Sequence, residues 1–327
     1  MPSSNRRPPV ARLAPSPTGA QHLGNARTYL LGYWAARREG SRIVLRIEDL
    51  DSPRVKAWAI DQAIEDLRWL GIDWDEGPDV GGPHQPYLQS DRGAKYEAAI
   101  RRLVERDAVY PCVCTRRDIA AAAGAPHADD QIGIYPGTCR DWRPGDDLPP
   151  PGTYCWRFRS RPTPVEFVDR VAGARRCRPG VDLGDFPVTR KTGAPAYQLA
   201  VVVDDAAMGV TDVVRGDDLL SSTFWQIELY ETLGWQPPRF AHLPLVIGPD
   251  GRRLAKRHGD TRLSHFRQLG VRPETVVRWA AGSAGIPLSG AIAGRMSTSL
   301  EFVHAAAIEA FAWERIPPEP IVVDRFP

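Results

Sequence analysis

The stretch that most constrains this fold runs from residue 10 to about residue 50. It opens on VARL, a short apolar run that reads as a buried strand, followed by the turn APSPTGAQHLGN with two prolines and two glycines. From Ala26 to Glu39 the residues Ala26, Tyr29, Leu30, Tyr33 and Trp34 recur every three or four positions, which predicts a helix stopped by Gly40. SRIVLRIEDL then reads as a second strand with Glu48 and Asp49 at its carboxyl end. Strand, turn, helix, strand is a βαβ unit, and its two strands must run parallel because a crossover helix joins them. The expected class is therefore α/β with a Rossmann-like parallel sheet, whose ligands bind beyond the carboxyl ends of the strands.

The turn itself has a chemical reading. Pro15 and Pro17 preset the chain, Gly19 and Gly24 permit close backbone approach, and His22 and Asn25 fall at the mouth of the helix, where free N–H groups favour an anion such as phosphate. The spacing GAQHLG does not fit the dinucleotide-binding glycine pattern, and no phosphate-loop motif ending in Gly-Lys-Ser/Thr occurs, which excludes the common nucleotide-binding loops.

Beyond the βαβ unit, Ile60, Ile64, Leu67 and Leu70 mark a second helix ended by Gly71, and Tyr96, Ile100, Leu103 and Val104 mark a third over about 93–106. These elements make residues 10–110 the first half of a catalytic domain. Residues 111–190, rich in Pro, Gly, Arg and Asp, read as an irregular inserted subdomain. AYQLAVVVDD reads as a buried strand, followed by a helix over about 222–233, the strand HLPLVI and the loop GPDGRRLAKRHGD, so that 191–265 forms the second half. Residues 266–327 form a small helical C-terminal region.

The 327 residues carry a formal net charge of +2, too small for polyanion binding by bulk field, so nucleic-acid contacts must come from local patches. Only four of the 42 basic residues are lysines, so arginine pairs say little and Lys256 stands out in its loop. No run has the length of a membrane span and MPSSNRRPPV lacks the apolar core of a secretory signal, which sets a cytoplasmic location and no membrane partner as the expectation.

Five cysteines in a reducing compartment argue against a disulfide framework. Cys112 and Cys114, with Cys139 returning from the insertion, can supply three corners of a tetrahedral Zn2+ site. The residues leave its fourth ligand open between Tyr135 and His127, while Cys155 and Cys177 read as isolated thiols.

The run A-P-S-P-T-G-x-x-H-x-G after the first strand resembles the glutamyl branch of the class I aminoacyl-tRNA synthetases, with HLGN in place of the class motif HIGH. Arg253-Leu254-Ala255-Lys256-Arg257 is similar to its KMSKS motif, and RIEDLD, PAYQLAVVVDD and VVRGDDLLSST follow that branch in order, so the resemblance covers about 10–270. It implies ATP-dependent activation of L-glutamate, with Mg2+ accompanying the ATP. His22, Gly24, Asn25 and Lys256 would bind ATP, His22 and Lys256 being the catalytic pair. Glutamate would lie against Arg12, Leu13, Ala14, Pro15 and Ser16, with Arg12 and Arg215 on its carboxylates, Glu48 on its ammonium, and Tyr197 completing the pocket. Arginine suits that task because its planar fork meets both oxygens of a carboxylate. The same branch implies Tyr135 as the fourth zinc ligand, and this chain departs from many of its members at Val201, where they carry asparagine.

About seventy residues follow Lys256, too few for the helical anticodon-reading domain of full-length members. The chain thus resembles the short branch that forms glutamyl-adenylate without tRNA and transfers glutamate to the queuosine base in the anticodon of tRNA(Asp). The alternative is a truncated enzyme charging a tRNA 3′ end. A monomer is expected.

Overall fold

The computed structural model describes residues 8–50, 55–122, 133–252, 254, 261–288 and 299–323. Its centre is a four-stranded, wholly parallel sheet in the order β2-β1-β8-β9, built from β1 (Val10–Leu13), β2 (Arg42–Leu45), β8 (Asp212–Gly216) and β9 (Arg239–Leu243). β1 is buried along its length, as a central strand covered on both faces must be. The βαβ reading of residues 10–50 therefore holds, with two adjustments. The helix α1 (Leu23–Arg38) begins three residues earlier than its periodicity suggested, and β2 ends before Glu48, which lies in the segment beyond the strand.

Between β2 and β8 come α2 (Ala57–Trp69), α3 (Gly93–Glu105), β3 (Val109–Cys112), α4 (Arg116–Ala122), β4 (Cys155–Phe158), β5 (Val165–Asp169), β6 (Gly173–Cys177), β7 (Phe186–Pro187) and α5 (Tyr197–Ala207). β3, β4 and β7 form a small antiparallel sheet, while β5 and β6 form a hairpin packed against the β9 edge. After β8 follow α6 (Leu220–Leu233), β9, β10 (Val246–Ile247), α7 (Leu263–Gln268), α8 (Pro273–Ser283), α9 (Leu300–Ala310) and β11 (Ile321–Val322).

α5 corrects the sequence reading, which made AYQLAVVVDD a strand. An apolar run of this kind does not distinguish a buried strand from a helix buried all round; here Leu199 to Asp205 are all buried on an 11-residue helix. Its Leu199, Val202 and Val203 pack with Tyr96 and Leu103 of α3 and Leu229 of α6. Conversely, VVRGDD contributes β8, a central strand that the sequence reading passed over.

The other face of the sheet is covered by α1, against which α8 and α9 pack in one continuous core. Arg27 of α1 is buried there and donates to Ser283 Oγ at 2.8 Å and to the carbonyl of Pro244 at 2.9 Å. Trp34 donates its indole N–H to His304 Nδ1 at 2.9 Å, and His304 Nε2 donates to the carbonyl of Leu70 at 2.7 Å, which fixes the tautomer of a buried imidazole. The next residue, Gly71, has φ +75°, and a Cβ there would stand 2.8 Å from His304 Nε2, so glycine is required on both counts.

Candidate active site

Beyond the carboxyl ends of β1 and β8, at the start of α1, lies a cleft of about 540 Å3. It is lined by Arg12, Leu13, Ala14, Ser16, His22, Gly24, Asn25, Glu48, Tyr197 and Arg215, ten positions that the sequence reading singled out over a span of more than 200 residues. Pro15 is buried behind the lining, where its carbonyl accepts from the Glu48 amide at 3.0 Å and ties the turn after β1 to the segment after β2. In the GRRLAKRHGD loop Gly251, Arg252 and Leu254 are described, while Lys256 and the rest lie outside the described residues, as does His127.

The turn after β1 is organised around His22, the N-cap of α1. Gly24 N donates to His22 Nδ1 at 3.1 Å and His22 N donates to Asn25 Oδ1 at 3.2 Å, a reciprocal cap that turns the helix mouth toward the cleft. A Cβ at Gly24 would approach the His22 ring to 3.1 Å, so this glycine serves the cap as well as the opening.

The charged groups are set deep. Arg12 donates from Nη1 to the carbonyl of Val214 at 3.1 Å, with Nε 3.8 Å from Asp205. Glu48 does not pair with Arg12 but with the fully buried Arg46, at 3.1 Å, which also meets Asp205 at 2.6 Å. Burial pushes the Glu48 carboxyl above its ordinary range, with Arg46 and Arg12 opposing. Behind this group Asp204 accepts from Gln89 Nε2, Arg92 Nε and Tyr96 Oη at 2.7, 2.5 and 2.9 Å.

Arg215, 4% exposed, donates from Nε to His242 Nε2 at 3.1 Å and from Nη2 to Thr223 Oγ1 at 2.7 Å. Its Nη1 has no hydrogen-bond partner among the described residues. Arg215 also lines the cleft, so its buried guanidinium charge favours an anionic ligand group there.

The residues that sequence reasoning missed are of two kinds. Gln21, Tyr29 and Leu245 line the cleft without belonging to a chemical pattern, and Asp218 lines it from within VVRGDDLLSST, where no role was assigned to it. Arg46, Asp204, Asp205, Thr223 and His242 support it from behind; the period-two spacing of Arg46 and Glu48 and the adjacent acids of VVVDD were the available signals.

In the insertion, the sulfurs of Cys112, Cys114 and Cys139 lie within 4.8 Å of one another, an arrangement that can hold a metal ion. Cys114 and Cys139 Sγ are 3.7 Å apart, and Tyr135 Oη is 3.4 Å from Cys112 Sγ and 3.8 Å from Cys114 Sγ. A tetrahedral zinc with Zn–S near 2.3 Å spaces its sulfurs by roughly 3.8 Å, so the donor set fits that ion. Cys155, read as isolated, stands opposite Cys112 across β3 and β4. The neighbouring thiol is the chief influence lowering the pKa of Cys112, with Tyr135 and the nearby Arg157 guanidinium acting in the same direction against burial.

Among the described residues no helix is long and apolar enough to cross a membrane. Residues 10–291 match the family described as tRNA synthetases class I (E and Q), catalytic domain. The chain is 56% identical to the glutamyl-Q tRNA(Asp) synthetase of Rhodopirellula baltica over 97% of each chain. It is 44% identical to a glutamate–tRNA ligase of Anaeromyxobacter sp. over 83% of its own length and 57% of that enzyme's. The crystal structure of a glutamate tRNA ligase from Elizabethkingia meningosepticum in complex with its amino acid superposes with a TM-score of 0.80 at 27% identity, covering 97% of this chain and 67% of the other. The parallel sheet with a cleft beyond its strand ends and the motif order along the chain thus have one source: the chain belongs to the class I tRNA synthetases of the E and Q group.

Proposed function

We propose that this chain activates L-glutamate with ATP and transfers it to the queuosine base in the anticodon of tRNA(Asp). The observation that carries the activation step is the cleft, where two buried arginines and a buried carboxylate stand beside a helix mouth. Glutamate has two carboxylates and one ammonium, and a selective pocket needs that charge set reversed. Arg12 and Arg215 take the carboxylates, Glu48 the ammonium, and Ser16 and Tyr197 complete the hydrogen bonding against Leu13 and Ala14.

In the reaction, an oxygen of the α-carboxylate attacks the α-phosphorus of ATP, the bond to the β-phosphate oxygen breaks, and pyrophosphate leaves. The nucleophile is already ionised, so the site supplies position and charge stabilisation rather than a general base. His22, Asn25 and the Gly24 backbone hold the nucleotide at the helix mouth, and Lys256 completes the catalytic pair with His22. Mg2+, when bound with ATP, neutralises phosphate charge. A queuosine hydroxyl then attacks the adenylate carbonyl, forming the ester and releasing AMP.

The choice of tRNA rests on the relatives. The chain covers 97% and 86% of two glutamyl-Q tRNA(Asp) synthetases but only 57% of a glutamate–tRNA ligase. We assign residues 10–110 and 191–265 to the catalytic domain, 111–190 to the insertion and 266–327 to a helical C-terminal region. The enzyme works as a cytoplasmic monomer.

Zinc is the ion we assign to the insertion, held by Cys112, Cys114, Tyr135 and Cys139 as a structural site. Metal analysis should find one zinc per chain, lost in Cys139→Ser and weakened in Tyr135→Phe, with His127→Ala unchanged; the reverse for the last two makes His127 the ligand. For the function, glutamate should support ATP–pyrophosphate exchange without tRNA. Labelled glutamate should then map to the anticodon fragment of ribonuclease-treated tRNA(Asp). Label on the terminal adenosine identifies a 3′-charging enzyme instead.

A further inference from the structure

Behind the amino-acid pocket runs a buried chain of polar groups that leads from the insertion to Arg215. Asp169, at the end of β5, is 2% exposed, and its Oδ1 accepts from the backbone amides of Val171 and Ala172 at 2.9 and 2.8 Å. Its Oδ2 receives His242 Nδ1 at 2.6 Å, and the His242 backbone amide reaches both oxygens at 3.1 Å. His242, on β9, is 1% exposed and is the register partner of Arg215 on β8, so the two side chains stand on the same face of neighbouring strands. Arg215 Nε then donates to His242 Nε2, and Thr223 Oγ1 takes Nη2.

We infer that Asp169 and His242 are positioning residues for amino-acid binding: the Asp169 carboxylate fixes the His242 tautomer so that Nε2 accepts from Arg215, which holds the guanidinium in place at the pocket wall. This rests on the reading that Arg215 binds a glutamate carboxylate.

The logic is one of proton inventory. An imidazole offers one donor and one acceptor when neutral, and the ionised carboxylate at Nδ1 assigns the hydrogen to that side. Nε2 is left as the acceptor that Arg215 Nε–H needs. With the hydrogen on Nε2 instead, that N–H would face Arg215 Nε–H and turn to Thr223 Oγ1, 3.0 Å away, and Arg215 Nε–H would lose its acceptor. Burial lowers the pKa of His242, with the Arg215 charge in the same direction and Asp169 opposing, so the ring stays neutral. Burial also works to raise that of Asp169, but hydrogen bonds from His242 and from the Ala172 and Val171 amides outweigh it and keep the group ionised. The ring of Phe240 stacks on His242 with centroids 6.0 Å apart and lies 5.4 Å from the Arg215 guanidinium.

The test is steady-state ATP–pyrophosphate exchange with KM determined separately for glutamate and for ATP. Asp169→Asn keeps the shape but presents an amide N–H to Nδ1, reversing the tautomer; His242→Phe removes the acceptor. Both should raise the KM for glutamate about tenfold or more, with the KM for ATP and kcat changed less than about threefold. His242→Gln, which returns an acceptor near the Nε2 position, should recover most of the loss. Thermal unfolding of each variant checks folding, and Asp169→Asn, a change of one atom, is the variant to read if His242→Phe does not fold. An unchanged glutamate KM in Asp169→Asn, or an equal rise in the KM for ATP, overturns the inference. Arg215→Ala separates the two levels. If it raises the glutamate KM while the other variants do not, only the relay is wrong; if it has no effect, the assignment of Arg215 falls and the relay with it.

Discussion

Glu48 shows what a single residue contributes and what its neighbours do to it. It is the one carboxylate among the cleft residues assigned to glutamate, and burial raises its pKa despite Arg46 and Arg12. An ammonium needs the ionised form, so glutamate activation should fall as pH drops through a value above the roughly 4.3 of an ordinary glutamate side chain. Glu48→Gln should raise the KM for glutamate about tenfold and abolish this acid limb, which pH profiles of exchange for both proteins will show. Residues of this kind were legible because each sits in a short local pattern near a strand end. Asp169 and His242 were not, since 73 positions separate them and only the packing of the hairpin on β9 brings them together.

At the scale of elements, α5 is the instructive case. Its apolar run carried no period that a sequence reader could use, because the helix is buried on every side. What marks it out is the pair of acids at its end, which would be costly in a buried strand without cationic partners. Here Asp204 meets Arg92 at 2.5 Å, with Arg46 Nε at 3.9 Å, and Asp205 meets Arg46, anchoring the helix to α3 and to the segment after β2. Asp204→Ala leaves the buried Arg92 guanidinium without its counter-charge, while Arg46 keeps Asp205 and Glu48, and should cost about 3–5 kcal/mol of stability by urea unfolding. A loss below about 1 kcal/mol would mean that water or Asp205 takes over the pairing.

For the whole molecule, the sequence conveyed the parallel sheet and its cleft but not how the C-terminal helices join the first core, since contacts between α1, α8 and α9 leave no trace in local spacing. Asp66 on α2 lies at another such junction, fully buried and 3.3 Å from Arg267 of α7. Burial pushes it up to about 6, with Arg267 and Gln62 opposing. The folded chain thus holds a proton that the unfolded chain releases near pH 3.9. This contribution is fully present below about pH 4 and is lost as pH rises through 6, a cost on the order of 3 kcal/mol at neutrality. Asp66→Asn should flatten that slope in denaturant titrations from pH 4 to 7, leaving the protein more stable at pH 7 than its parent.

The short pairing of β10 with β11 reaches further than its size suggests. Ile321 N donates to the carbonyl of Leu245 at 2.9 Å and Val323 N to that of Ile247 at 2.9 Å, while Leu245 and Val246 form part of the cleft wall. Residues far along the chain therefore brace one rim of the reaction chamber from outside, like a splint. Clipping or tagging near Ile321 would loosen that rim and, because Ile321 and Val323 also pack into the core beside α1, would weaken the grip on small molecules together with the hold of the helices.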